Sequence, residues 1–116
     1  MTISSDTICA IATPPGHGGV GIIRMSGPQA LEIAHSLTQQ KTELRHATYA
    51  RFRDISGEAI DDGLIICFKA PHSFTGEHVA ELQTHGSPVV LDQLLQTITQ
   101  YGARLARPGE FSERAF

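Results

Sequence analysis

Two ionisable residues stand where strands would ordinarily carry apolar side chains. Arg24 lies in residues 20–25 (VGIIRM) on the same face as Ile22, and Glu81 lies in VAELQTH on the same face as Val79, Gln83 and His85. A charge among apolar neighbours needs a partner. In one reading the two residues form a structural ion pair or occupy exposed sheet edges. In the other, a guanidinium and a carboxylate line a ligand cleft. Ser73-Phe74-Thr75-Gly76-Glu77 reads as a loop with its own side-chain to backbone hydrogen bonds, and its one aromatic, Phe74, is able to cover a ring.

The remaining motifs carry less. Gly16-His17-Gly18-Gly19-Val20-Gly21 satisfies GxGxxG, but a dinucleotide site needs those glycines between a strand and a helix amino terminus. Here they run into a strand. They read either as a glycine-rich hairpin or as a stretch where missing side chains let a flat ligand or a second subunit approach the backbone. GxxxxGK[ST] does not occur, so a GTP- or ATP-binding phosphate cradle is absent from this sequence. Asp61-Asp62-Gly63 reads as a turn leading into residues 64–68 rather than as a paired-carboxylate site. His72, His78 and His85 have spacings that match no zinc-ligand pattern. Arg45-His46 with Arg51 and Arg53 reads as the solvated face of a strand in preference to a phosphate site.

Positioning these residues requires the following elements. Residues 7–12 and 20–25 read as strands, and Ser26-Gly27-Pro28 as the start of a helix with Ala30, Ile33, Ala34 and Leu37 on one stripe. Residues 48–54 form a third strand, Ser56-Gly57-Glu58 a turn, and LIICF at 64–68 an interior strand covered on both faces. Residues 79–85 alternate as a strand. Ser87 then caps a helix with Pro88 at its first position, Leu91, Leu94, Leu95 and Ile98 on one face, and Gly102 near the stop. Residues 103–106 give a last short strand, and Ser112 caps the first turn of a helix. A helix that short cannot support itself, which predicts a chain continuing past Phe116. About five strands with two main helices predict an α+β fold on a mixed, largely antiparallel sheet.

Composition agrees. At 116 residues the chain suffices for one domain, and 41% hydrophobic with 18% charged residues is the balance of a globular protein rather than a disordered one. A net charge of −3 offers no attractive field to nucleic acid, so little direct nucleic-acid binding is expected. No apolar run approaches the roughly 20 residues of a spanning helix. The first ten residues lack the basic and apolar regions of an export signal, which predicts a cytoplasmic location without membrane attachment. Cys9 and Cys67 sit in apolar strands and are expected to be reduced and buried.

Three segments together carry a resemblance. TPPGHGGVGIIRMSG (13–27), SFTGEHVAELQTHGSP (73–88) and ARPGEFSERAF (106–116) resemble, in residues, order and spacing, the start of the MnmE (TrmE) family of tRNA-modification GTPases. The last segment is the most specific, and the similarity spans nearly the whole chain. Three positions depart from the family pattern: His17 where arginine is frequent, His78 where aspartate is usual and Ser87 where glycine is usual.

The resemblance implies the tetrahydrofolate-binding fold of the glycine-cleavage aminomethyltransferases, a homodimer, and helical and GTPase domains following the matched region. It implies a cofactor, tetrahydrofolate or a one-carbon derivative such as formyl- or methylene-tetrahydrofolate, contacted by Arg24 and Glu81. A third family contact, a lysine, falls after Phe116. A pterin presents an amino group beside a ring N–H, two parallel donors that an ionised carboxylate accepts as a fork. Glu81 suits that role; Arg24 would hold Glu81, contact the pterin carbonyl or meet the folate carboxylates. Gly18, Gly19 and Gly86 would let the backbone approach the flat ring, with Phe74 over it. In the family the whole protein works with the flavoprotein MnmG on tRNA and uses GTP, Mg and K in its GTPase domain. On this reading the 116 residues bind and place a cofactor without catalysing a reaction themselves. The rival readings are a purely structural dimerisation module without folate affinity, and a free-standing one-carbon transferase.

Overall fold

The computed structural model describes residues 6–12 and 19–116. The alternating segments form six strands: β1 (Ile8–Ile11), β2 (Val20–Ser26), β3 (Thr48–Arg53), β4 (Ala59–Phe68), β5 (Val79–His85) and β6 (Arg104–Leu105). Three helices, α1 (Ala30–Thr38), α2 (Pro88–Gln100) and α3 (Glu110–Ala115), complete the described chain. The sheet order is β3-β4-β5-β2-β1-β6, and every neighbouring pair is antiparallel except the parallel pair β1 and β6. The fold is therefore α+β on a mixed, largely antiparallel sheet, and each strand and helix read from the sequence pattern is present.

Both main helices cover one face of that sheet. Cys9, Ile23, Met25, Phe52, Ile65 and Leu82 pack against Ile33 and Leu37 of α1 and against Leu94 and Ile98 of α2 in a single buried cluster. Each such side chain contributes ~1.5–3 kcal/mol by leaving water. Neither main helix lies on the opposite face, so β4 is interior in strand order yet covered by the main helices on one side only, contrary to the reading of LIICF. Leu64 and Tyr49 on that face are exposed, and Ile66 and Phe68 are half-buried.

Three boundaries also depart from expectation. Gly27 has φ 143, a left-handed-region value that turns the chain after β2, so α1 begins at Ala30 rather than at Ser26. Asp54 makes the turn at 54–58 by accepting hydrogen bonds from the Ser56 and Glu58 N–H groups, which leaves Asp61, Asp62 and Gly63 inside β4 instead of in a turn. The last helix starts at Glu110 behind Gly109, two residues before Ser112, because the Glu110 carboxylate folds back to accept the Arg107 N–H at 2.9 Å.

Glu110 is also the anchor of that helix. Its side chain is 2% exposed and accepts both ends of the Arg104 guanidinium, at 2.9 and 2.6 Å. Those hydrogen bonds hold its pKa at about 2, below the ordinary 4.5. A lowered folded-state pKa adds stability that is complete above pH 4.5 and disappears as the pH falls toward 2. Because Arg104 is two-fifths exposed, the contribution is discounted to about 2 kcal/mol. Urea unfolding at pH 6 and pH 2.5 is expected to show Glu110→Gln losing less stability between the two than the unmodified chain; equal losses would show that Glu110 does not titrate as placed.

Candidate functional site

Antiparallel register places side chains in rows across the face opposite α1 and α2. Ala10, Arg24, Glu81 and Ile66 stand opposite one another on β1, β2, β5 and β4. Arg24 and Glu81 are thus direct cross-strand partners on interior strands, and the reading of two exposed edge residues does not hold. Arg24 Nε and Nη2 donate to Glu81 Oε1 at 3.3 and 3.1 Å, while Gln83 Nε2 donates to Oε2 at 3.2 Å. Phe74 reaches the same place from the loop between β4 and β5, with the Arg24 guanidinium carbon 6.0 Å from its ring centroid.

Arg24, Phe74 and Glu81 line a cavity of about 510 Å³ with Arg45, Phe68, Ser73 and Val79, a size within the range of small-molecule sites. Its floor is the ion pair and its wall is aromatic. A carboxylate has about four lone-pair positions; Arg24 and Gln83 take three, leaving Glu81 Oε2 able to accept another donor. Part of the candidate set is thereby brought together and part is not. Gly19 and Gly86 meet each other, the Gly86 N–H donating to the Gly19 carbonyl at 3.1 Å. They lie beyond the Val20–His85 pair, roughly 15 Å along the strands from Glu81. Gly19 instead borders a second hollow with Tyr49, Asp62, Gly63, Gln83 and His85. Gly18 lies outside the described residues.

Gln83 connects the two hollows, since it lines one and bonds the carboxylate of the other. Its position two residues after Glu81 on an alternating strand is a signal that sequence reasoning had available. Arg45 had a weaker one, because it reaches the cavity rim from an irregular segment with φ 65. Arg51 pairs with Asp62 at 2.8 Å and Arg53 donates to the Gly57 carbonyl at 3.0 Å. Those two arginines are spent on local contacts. At the second hollow the Asp61 carboxylate accepts the backbone N–H and faces the ring of His85, at 2.9 and 2.8 Å. Burial raises its pKa, yet the His85 contacts outweigh that and hold it below the usual range. Cys9 and Cys67 are free and buried, and burial pushes the Cys9 thiol up to about 11. Among the described residues no cluster of three or more His, Cys, Asp or Glu could hold a metal ion, and no helix is long and apolar enough to cross a membrane.

The family model described as the GTP-binding protein TrmE N-terminus matches residues 7–116. The chain belongs to the TrmE N-terminal family. Relatives of this TrmE-type domain include a protein of Xanthomonas campestris pv. campestris named tRNA modification GTPase MnmE, 60% identical over 116 residues, covering 100% of this chain and 26% of the relative. A protein of the same name from Nitrosococcus oceani is 59% identical over 112 residues, covering 97% and 24%. A third, from Stutzerimonas stutzeri, is 59% identical over 116 residues, covering 100% and 26%. The TrmE-type domain thus spans about a quarter of the length of these relatives.

Proposed function

We propose that this domain binds a reduced folate, tetrahydrofolate or its formyl or methylene derivative, and pairs with a second copy of itself in a longer tRNA-modification GTPase. The observation that carries the reading is Glu81: a carboxylate on the floor of an aromatic-walled cavity, held by Arg24 and Gln83 with one acceptor position left. A pterin's parallel N–H donors need a carboxylate, one meeting the open position on Oε2 and the other taking the place of one of the two Arg24 hydrogen bonds to Oε1. Arg24 fixes the carboxylate's orientation, Phe74 covers the ring, and Arg45 at the rim supplies a cation for the folate's carboxylates. The folate, when bound, supplies the one-carbon unit; the protein's part is orientation.

The remaining parts of the proposal rest on family membership. The relatives' name supports a role in tRNA modification by a GTPase; action on the wobble uridine at C5, with GTP, Mg and K used in a GTPase domain separate from these 116 residues, is proposed on the family resemblance. The flavoprotein MnmG and tRNA are the proposed partners of the whole protein, in the cytoplasm, and the domain itself places a cofactor without catalysis. Exposed and half-exposed apolar side chains on the face opposite α1 and α2, among them Tyr49 and Leu64, support pairing with a second copy.

One observation favours a second reading, a purely structural dimerisation module: Arg24 and Glu81 already pair with each other. Calorimetric titration of 5-formyl-tetrahydrofolate, with mass measured by light scattering, separates the two. Saturable heat together with twice the 12.5 kDa chain mass is expected. A dimer giving no heat up to ~1 mM ligand would leave the structural module, and a monomer would remove the pairing.

A further inference from the structure

We propose that Arg114 is a positioning residue for the cleft, acting through Glu77 to hold the loop that carries Phe74; this rests on the folate-binding reading above. Phe74 is 55% exposed, and its ring centroid lies 6.0 Å from the Arg24 guanidinium carbon. Its placement therefore depends on its own backbone, a connection from Phe68 to Val79 without helix or strand.

That backbone is tied down at one end. Ser73 Oγ donates to the Glu77 carbonyl and accepts the Gly76 N–H. Ser26 Oγ, fully buried at the end of β2 and two residues from Arg24, donates to Glu77 Oε1 at 2.7 Å and lies 2.6 Å from Thr75 Oγ1. Since a serine hydroxyl has one proton and Ser26 places it on the carboxylate, Thr75 donates to Ser26. The relay Thr75 to Ser26 to Glu77 ends on a carboxylate that requires a cation.

Arg114 is that cation. Its Nη1 donates to Glu77 at 3.1 and 3.3 Å and to the Asp6 carbonyl at 2.7 Å, and its Nη2 donates to Asp6 Oδ1 and Glu110 Oε2 at 2.8 and 3.3 Å. The side chain is 15% exposed. A planar guanidinium with five donors spans the loop, the lead into β1 and α3 at once, which a lysine ammonium cannot do. No described buried side-chain polar atom lacks a partner, so deleting Arg114 would unbalance a complete network.

The sequence contains no tryptophan, so Phe74→Trp places a single reporter in the loop. In that background Arg114→Ala and Glu77→Gln are expected to raise acrylamide quenching about twofold as the loop opens locally. With Phe74 intact, both substitutions are expected to weaken 5-formyl-tetrahydrofolate binding about five- to tenfold. Arg107→Ala, which loses contacts to Glu110 and Glu113 but none to Glu77, is expected to leave quenching and affinity unchanged. Quenching that stays at the parent value in a folded Arg114→Ala or Glu77→Gln chain overturns the proposal. If Arg114→Ala does not fold, Glu77→Gln decides, because it leaves Arg114 bonded to Asp6 and Glu110. If the unmodified chain binds no folate, the binding reading fails while quenching still decides whether Arg114 holds the loop.

Discussion

Replacing Glu81 with glutamine is expected to weaken reduced-folate binding about ten- to a hundredfold, or roughly 1.5–3 kcal/mol, with little loss of stability. Glutamine keeps the size of the side chain but turns one acceptor into a donor and removes the negative charge. A ligand fork of two N–H groups then meets an opposing N–H, and the lost interaction is a charge-assisted one. The Arg24 side chain is 32% exposed to water, so the ion pair's own contribution to folding is modest. Affinity and stability should therefore separate. Calorimetry of the glutamine variant beside a thermal melt checks this; unchanged affinity would remove Glu81 from the site, and a collapsed melt would assign it to the scaffold. Glu81→Asp retains the charge but withdraws it by one methylene, so an intermediate loss is expected.

Gly63→Ala is expected to cost about 3 kcal/mol or more. Gly63 faces Ala50 across β3 and β4, just before Leu64 begins the register with Gln83 of β5. A Cβ there would lie 2.0 Å from the Gln83 carbonyl oxygen and 3.1 Å from Phe52 Cε2. The first neighbour is backbone of a central strand, which cannot step aside without breaking the ladder. For a domain of this size that cost lowers the melting temperature by about 12 °C or more. Two other glycines calibrate the result. At Gly21 a Cβ would meet only the Leu91 side chain, from 2.7 Å, and at Gly19 nothing lies within 4 Å. The expected order of destabilisation is Gly63→Ala, then Gly21→Ala, then a negligible change for Gly19→Ala. A Gly63→Ala melt close to the parent's would show that β4 and β5 are not held this close.

Elements with a strong period were legible from the sequence. The stripe of Ala30, Ile33, Ala34 and Leu37 is buried as expected, as are Leu91, Leu94 and Ile98 behind Pro88. Each of those helices is specified by contacts within its own span. The misplacement of Asp61-Asp62-Gly63 has a physical source: turn-forming residue types are also used where two strands come too close for a Cβ, and proximity to Gln83 is a tertiary fact. The site divides along the same line. Arg24 and Glu81 were identifiable as charges out of place on strands, and their pairing needed only the register. Gly19 and Gly86 were grouped with them by composition, whereas strand rise sets them well apart. The Glu77–Arg114 link joins residues 37 positions apart, and no local pattern marks it.

Among the side-chain hydrogen bonds of the described residues, Arg114 to Asp6 closes the longest separation, 108 residues. Closure of so long a loop costs chain entropy that nearby pairings do not. The meander β3-β4-β5 can assemble as soon as its own residues exist, whereas the clasp between Asp6 and Arg114 must wait. During synthesis, which proceeds from the amino terminus, the cleft's strands would precede the guanidinium that steadies its aromatic wall. Competence to hold a ligand would then wait for the turn that carries Arg114, a built-in order of events for the nascent chain.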